Sequence, residues 1–120
     1  PVEESVNPSP AGRRRKVGAI LRHLLHEEGL DPEHIVILGG HHLEGTSIPP
    51  GSRVGDFTVV EGGGGGPGAI SYYTYMKFKG CEADAVILLD VDPSDQRWSR
   101  QAIYTTASRA KHVLYVVRAA

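Results

Sequence analysis

The sequence predicts an α/β fold with an open, mostly parallel sheet, and three observations support this. Residues 35–38 (IVIL) and 85–89 (AVILL) are continuous apolar runs, which are typical of strands covered on both faces. Residues 17–25 place apolar side chains at the spacing of an amphipathic helix. A second helix is predicted between the last two strands. This alternation favours three layers, with helices on both sides of the sheet.

The remaining elements follow from local signals. Gly29 ends the first helix, because a glycine readily adopts the left-handed conformation just after a helix. Residues 57–60 and 69–75 are rich in β-branched and aromatic residues and are predicted strands. The run of five glycines from residue 62 to 66 predicts a flexible connector between them. With Ser94 as its N-cap, the second helix is predicted to reach about Lys111, before a last strand at 113–117.

The first residues predict a tail. Residues 1–12 contain three prolines and little apolar periodicity, so we expect residues 1–15 to be flexible and residues 16–120 to form one domain. Residues 13–16 (RRRK) are a basic run. They could contact nucleic acid or direct localisation, but a solvated start to the first helix is the favoured interpretation. The chain starts with Pro1 rather than Met, so we expect it to be part of a longer protein.

Composition excludes several classes of protein. The chain has 120 residues, with 13 Lys and Arg against 14 Asp and Glu, and a net charge of −1. This balance argues against a surface that is basic throughout, so any contact with nucleic acid is expected to be local. No stretch approaches the ~20 apolar residues that span a bilayer, and no signal peptide opens the chain. The single cysteine, Cys81, excludes an internal disulfide and suits the cytoplasm.

Two glycine and aspartate patterns resemble nucleotide-binding motifs but lack their context. Gly63, Gly65 and Gly68 fit G-x-G-x-x-G, yet a predicted strand follows them, where the motif requires a helix. The sequence has no Gly-Lys pair and therefore no Walker A loop. Asp90 ends an apolar run as a Walker B aspartate does, but without a Walker A loop we interpret it as the polar end of a core strand.

The histidines do not predict a metal site. His23 and His26 are three positions apart on the first helix, and His41 and His42 are adjacent, but no cysteine or carboxylate completes a recognisable ligand spacing. We therefore expect solvated histidines and no bound metal. Cys81 follows a glycine turn, and an inert thiol is more common there than a reactive one.

Two segments together are more specific than any of these signals. Residues 74–88 (TYMKFKGCEADAVIL) take a strand through a lysine–glycine–glutamate turn into a buried strand. Residues 104–111 (YTTASRAK) end the second helix with an arginine just before the last strand. Glu82 and Arg109 are therefore expected at one edge of the same sheet, where they can present a carboxylate and a cation to a nucleotide.

These segments resemble motifs V and VI of the second motor domain of superfamily 1 DNA helicases of the UvrD/Rep type. Motif V reads approximately T-x-H-x-x-K-G-L-E-x-x-x-V and aligns with about residues 74–84. Motif VI reads approximately Y-V-A-x-T-R-A and aligns with residues 104–111. The resemblance covers about residues 16–118 and is strongest over 70–118. It implies a RecA-like (P-loop NTPase-like) domain without its own P-loop.

The resemblance also implies residue roles. Arg109 matches the catalytic arginine that reaches the γ-phosphate of ATP, where a permanently charged, forked donor is needed. Glu82 matches the glutamate that accepts a hydrogen bond from the ribose. Lys79 and Gly80 match the turn beside the nucleotide, so all four are expected to bind it.

Three residues match the part of motif V that couples the nucleotide to DNA: Thr74, Met76 and Lys77. Met76 departs from the family, which usually has histidine there, and this puts the coupling in doubt more than the nucleotide contacts. Cys81 in place of leucine and Ser108 in place of threonine are milder departures.

The function implied by the resemblance is that of the C-terminal motor domain of an ATP-dependent DNA helicase. The expected cofactor is ATP with Mg²⁺, and the expected partners are an N-terminal P-loop domain of the same chain and single-stranded DNA. Without that domain we expect no ATP hydrolysis. The alternative is a non-catalytic nucleotide- or nucleic-acid-binding module with a degenerate helicase fold, which Met76 and the glycine-rich middle favour. A generic nucleotide-binding protein leaves the paired motifs unexplained.

Overall fold

The computed structural model describes residues 1–120, whose seven strands form one sheet in the order β1-β7-β6-β2-β5-β4-β3. Neighbouring strands are parallel except for β3 and β4, which are antiparallel. The strands are β1 (Val2–Val6), β2 (Ile35–Gly39), β3 (Arg53–Val54), β4 (Phe57–Glu61), β5 (Ala69–Thr74), β6 (Ala83–Val91) and β7 (Ala110–Arg118). The helices are α1 (Pro10–Arg22), which continues as a π-helical turn (His23–Glu27), and α2 (Arg100–Ala107). Three short 3₁₀ turns occupy Pro32–His34, Leu43–Gly45 and Gln96–Trp98.

Each face of the sheet carries its own apolar core. Successive residues of a strand point to opposite faces, so Ile37 of β2 packs with Val17 and Leu21 of α1, whereas Leu38 packs with Trp98 on the other face. Burying one such side chain contributes about 1.5–3 kcal/mol. The predicted α/β fold, with its mostly parallel sheet and its three layers, is therefore confirmed.

The start of the chain is a strand, so the prediction of a flexible tail over residues 1–15 is wrong. Val2–Val6 pairs in parallel with β7, with Val2 opposite Leu114. The first helix begins at Pro10 with Ser9 as its N-cap, whose side chain accepts a hydrogen bond from the amide of Gly12. An edge strand stabilised by pairing with a distant strand needs no apolar periodicity of its own, which is why the sequence pattern did not reveal it.

The second helix is shorter than predicted. It begins after Ser99, whose side chain accepts a hydrogen bond from the amide of Ala102, and not after Ser94. Asp95 instead caps the 3₁₀ turn that places Trp98 in the core. The helix ends at Ala107 and β7 begins at Ala110, so Arg109 lies in the tight turn between them. No helix has the length and apolar content needed to cross a membrane.

Candidate functional site

The predicted site residues divide between two opposite edges of the sheet. Thr74 is the last residue of β5, whereas Glu82 and Arg109 directly precede β6 and β7. These strands run in the same direction. Thr74 therefore lies at the edge of the sheet formed by the carboxyl ends of its strands, which we call the carboxyl edge. Glu82 and Arg109 lie at the opposite edge, formed by the amino ends, which we call the amino edge. The strand register places roughly 20 Å between the edges, at 3.3 Å per residue. Residues 75–82, the crossover, return the chain from one edge to the other.

At the amino edge, the backbone holds Arg109 beside the start of β6. The amide of Ala83 donates a hydrogen bond of 3.0 Å to the carbonyl oxygen of Arg109. The amide of Arg109 donates to the carbonyl oxygen of Thr106, also at 3.0 Å. The Arg109 side chain is half-buried, yet it forms no ion pair within the chain. Hydrogen bonds therefore fix the backbone at Arg109, while its guanidinium has no carboxylate partner within the chain.

Arg109 and Lys79, both predicted to bind the nucleotide, line the same cleft. The cleft, of about 240 Å³, lies between the crossover and α2 and is lined by Met76 and Lys79 on one side and by Thr105 and Arg109 on the other. Lys79 is exposed and, like Arg109, has no carboxylate partner. Two unpaired cations in one cleft favour an anionic ligand, such as a phosphate group.

Gly80 and Glu82 lie at the same edge but do not line this cleft. Gly80 has a φ of 85°, in the left-handed region, and a Cβ added there would meet nothing within 4 Å. The turn therefore needs glycine for its backbone conformation. Glu82 is exposed, and its carboxylate has no ion pair within the chain. The structure thus brings Lys79 and Arg109 together and leaves Glu82 accessible nearby.

At the carboxyl edge, Thr74 stabilises a turn. Its carbonyl oxygen accepts a hydrogen bond from the amide of Lys77 at 3.0 Å, and its hydroxyl lies 3.3 Å from the same amide. Met76 is 68% exposed, and Lys77 is exposed as well. Thr74 therefore has a local structural role, whereas Met76 and Lys77 are available for an external contact.

Asp90 joins three parts of the fold through its carboxylate. Arg13 Nε lies 2.6 Å from Oδ1, and Ser47 donates from both its amide and its hydroxyl at 2.7 Å. These bonds hold Asp90 at a φ of 59°, which is uncommon for a residue other than glycine. The interpretation of Asp90 as the polar end of a core strand agrees with this geometry. No local signal could reveal its partners, since Arg13 is 77 positions away.

Three of the histidines noted in the sequence lie against carboxylates. His23 lies 3.0 Å from Glu27, His41 lies 2.7 Å from Asp95, and His42 lies 2.6 Å from Glu61. The hydrogen bond that the Glu27 carboxylate accepts from the His23 ring raises the pKa of His23 above its usual 6.5. The hydrogen bond with His42 lowers the pKa of Glu61, to which the amide of Leu43 also donates. These histidines thus serve the fold as partners of acids.

One exposed group of three side chains contains suitable ligand atoms for a metal ion. Ligand atoms of Asp31, Glu33 and His34 lie within 4.8 Å of one another at the turn before β2. Exposed acids of this kind are common without a metal, and the group is separate from the cleft between the crossover and α2.

Comparison with known proteins identifies the part of the chain that carries these residues. Residues 72–117 match the family model of the UvrD-like helicase C-terminal domain. This segment is therefore similar to that family. The match runs from within β5 to within β7 and includes both Glu82 and Arg109, so the resemblance to a UvrD/Rep-type C-terminal domain is confirmed.

The fold of the chain is also found in a solved structure. The C-terminal domain of a possible DNA helicase from Lactobacillus plantarum WCFS1 is 23% identical, with a TM-score of 0.66. The similarity covers 98% of this chain and 71% of that one. It therefore extends over β1 and α1, outside the family match, and agrees with a RecA-like fold. No curated protein matches the chain significantly.

Proposed function

We propose that this chain is the C-terminal motor domain of an ATP-dependent DNA helicase. ATP binds between its amino edge and an N-terminal P-loop domain of the same protein. Hydrolysis opens and closes the cleft between the two domains and moves single-stranded DNA along them. Such a motor works in the cytoplasm, which suits an unpaired, exposed cysteine.

The observation that carries the proposal is the backbone link between the two motifs. The amide of Ala83, the residue after Glu82, donates to the carbonyl oxygen of Arg109. This bond keeps Glu82 and Arg109 near each other. In the proposal, Glu82 accepts a hydrogen bond from a ribose hydroxyl, and Arg109 reaches the γ-phosphate from across the domain cleft. A guanidinium stabilises the charge on the phosphoryl group during transfer, and such arginines accelerate hydrolysis by about 10³–10⁵.

In the proposal, Lys79 adds a second positive charge beside Arg109, where the phosphates of ATP would bind. It lines the same cleft as Arg109, and the Gly80 turn sets its backbone position. We assign Lys79 to attraction and orientation of the nucleotide, because an ammonium group acts as a point charge without the forked geometry of arginine.

No acid lines the cleft that holds Lys79 and Arg109, so the residues there do not fit a Mg²⁺ site. The other acids of the amino edge lie around histidines: the carboxylate of Asp84 is 3.8 Å from His34 and 3.7 Å from His112, and Asp31 and Glu33 are grouped with His34. Magnesium bound to a nucleotide neutralises charge between the phosphates and is usually held by an acid and a hydroxyl of the P-loop domain. We therefore place the P-loop, the magnesium ligands and the catalytic base in the N-terminal domain, and expect no ATP hydrolysis by the 120-residue chain alone.

The test is the ATPase activity of the complete protein with Arg109→Ala. We expect kcat to fall by about 10³-fold or more, because the lost contact acts on the transition state. Arg15→Ala is the matched control, since Arg15 is an exposed arginine on α1 without a carboxylate partner. Unchanged ATPase activity of Arg109→Ala would refute the proposal.

The second candidate is a nucleotide- or nucleic-acid-binding module without motor activity. Met76 favours it, because an exposed thioether stands where the family usually has a histidine that can form hydrogen bonds. This candidate predicts nucleotide binding without DNA-stimulated hydrolysis by the complete protein, so the same assay separates the two.

A further inference from the structure

Outside the aromatic residues, three polar side chains are buried, and one of them has no hydrogen-bond partner. They belong to Arg13, Ser47 and Thr106. The side chains of Arg13 and Ser47 both donate to the carboxylate of Asp90. The hydroxyl of Thr106, in a residue that is only 3% exposed, forms no hydrogen bond within the chain. A buried hydroxyl without a partner is rare, because it loses hydrogen bonds to water and gains none in return.

The hydroxyl of Thr106 lies at the wall of the cleft between the crossover and α2. No fully buried polar side-chain atom of the chain lacks a partner, so this hydroxyl belongs to the small part of Thr106 that remains accessible. Thr106 lines the cleft that also contains Lys79 and Arg109. The packed residue therefore presents one free hydroxyl to that cleft.

The helix α2 does not need this hydroxyl. A threonine within a helix can donate to the carbonyl oxygen four positions earlier, which would be that of Ala102, but Thr106 forms no such bond. Thr106 also stands at the position where motif VI has alanine, so the backbone of this segment forms without a hydroxyl. An external acceptor therefore explains the free donor better than the stability of the helix does.

The cleft favours an acceptor that is negatively charged. Its walls contain the cations Lys79 and Arg109 and no acid. Thr106 precedes Arg109 by three positions, and the amide of Arg109 donates to the carbonyl oxygen of Thr106 at 3.0 Å. Residues three positions apart at the end of a helix lie on the same side. A phosphate bound by the Arg109 guanidinium therefore lies on the side that the Thr106 hydroxyl faces, and its oxygens accept from both donors.

We infer that the hydroxyl of Thr106 donates a hydrogen bond to the γ-phosphate of ATP beside Arg109. The inference rests on the proposed function, which places the γ-phosphate at Arg109, and it adds a neutral donor to the two cations. A short, packed side chain holds its hydroxyl in one place, which a long cationic side chain does not. Thr106 thus helps to distinguish ATP from ADP, which lacks this phosphate.

The test is binding of a non-hydrolysable ATP analogue and of ADP by the complete protein with Thr106→Val, measured by calorimetry. Valine has nearly the shape of threonine but no hydroxyl. We expect the affinity for the analogue to fall about tenfold, as for a lost hydrogen bond to a charged group, and the affinity for ADP to stay unchanged. Thr106→Ser keeps a hydroxyl and should bind the analogue nearly as wild type does. Thr58→Val makes the same change in β4, away from the cleft, and should alter neither affinity.

Urea denaturation without nucleotide separates a ligand contact from a structural role. Removing a hydroxyl that has no partner removes no hydrogen bond, so Thr106→Val should be at least as stable as wild type. A clear loss of stability would show that the hydroxyl serves the fold, and it would overturn the inference.

The inference and the proposed function can fail separately. Wild-type binding of the analogue by Thr106→Val overturns the inference, as does an equal loss with Thr106→Ser, with Thr58→Val or for ADP. If Arg109→Ala loses ATPase activity while Thr106→Val binds the analogue as wild type does, only the inference is wrong. If Arg109→Ala keeps wild-type ATPase activity, the proposed function is refuted and the inference falls with it.

Discussion

The amide of Ala83 donates a hydrogen bond of 3.0 Å to the carbonyl oxygen of Arg109. The bond joins the first residue of β6 to the turn before β7, so two motifs more than 20 positions apart are held together by backbone alone. Side chains of either motif can therefore change without moving the other. For this reason, substitutions of Glu82 and Arg109 should report on ligand contacts and only weakly on folding.

Glu82→Gln should weaken ATP binding without slowing catalysis. A carboxylate that accepts a ribose hydrogen bond contributes equally before and during phosphoryl transfer, so KM rises while kcat is kept. The loss of about 0.5–1.5 kcal/mol corresponds to a roughly three- to tenfold higher KM in steady-state assays of the complete protein. Glu44→Gln, which changes an exposed acid elsewhere, is the control. A large fall in kcat would assign Glu82 a different role.

Arg13→Ala should destabilise the fold strongly. Its guanidinium is mostly buried against Asp90, and its Nη1 also donates to the carbonyl oxygens of Asn7 and Pro8. Removing it leaves a largely buried carboxylate without its cation, which costs about 3 kcal/mol. Arg15→Ala, two positions away and exposed, should change the free energy of unfolding by no more than about 0.5 kcal/mol. Urea denaturation of both variants measures the difference, and equal stabilities would contradict this account.

Gly39→Ala should destabilise the protein through a steric clash with Tyr72. A Cβ on residue 39 would lie 2.0 Å from the Tyr72 hydroxyl oxygen, so we expect a loss of about 2–3 kcal/mol. Tyr72→Phe removes that oxygen and should partly rescue Gly39→Ala, although alone it costs about 1 kcal/mol through the lost hydrogen bond to His41. Additive losses in the double variant would argue against the clash.

Gly80→Ala should measure the cost of a left-handed backbone conformation in the absence of a steric clash. Its φ is 85°, but a Cβ there has open space, so only the left-handed backbone is penalised, by about 1–2 kcal/mol. Thermal or chemical denaturation should therefore show a smaller loss than for Gly39→Ala. A larger loss would mean that the turn has contacts that the geometry does not predict.

Acid should weaken the contact between Glu61 and the loop that follows β2. The hydrogen bond with His42 lowers the pKa of Glu61 below 4.5, and the amide of Leu43 acts in the same direction, against the effect of burial. The ionised form is therefore favoured by folding. Its stabilisation is complete above the unfolded pKa and is lost as the pH falls through the folded pKa. In NMR titrations, His42→Ala should raise this pKa towards 4.5, whereas His26→Ala should leave it unchanged.

The sequence was informative where the pattern is local. The apolar runs of β2 and β6 need burial on both faces, and this fixed their place in a parallel sheet. Glu82 and Arg109 could be placed at one edge because each directly precedes a strand. Their contact with a nucleotide remains a prediction.

Long-range contacts account for what the sequence did not reveal. The strand Val2–Val6 depends on pairing with β7, and the buried state of Arg13 depends on Asp90 far along the chain. The division of motif V between two edges also needed the sheet order, because the direction of β5 relative to β6 decides where Thr74 lies.

Hydrogen exchange of the complete protein, with and without a non-hydrolysable ATP analogue, tests most directly whether the amino edge meets the nucleotide. We predict slower exchange in residues 79–84 and 106–110, which contain Glu82 and Arg109, and unchanged exchange in residues 41–48 at the carboxyl edge. Protection confined to the carboxyl edge, or absent from both segments at saturating nucleotide, would contradict the account.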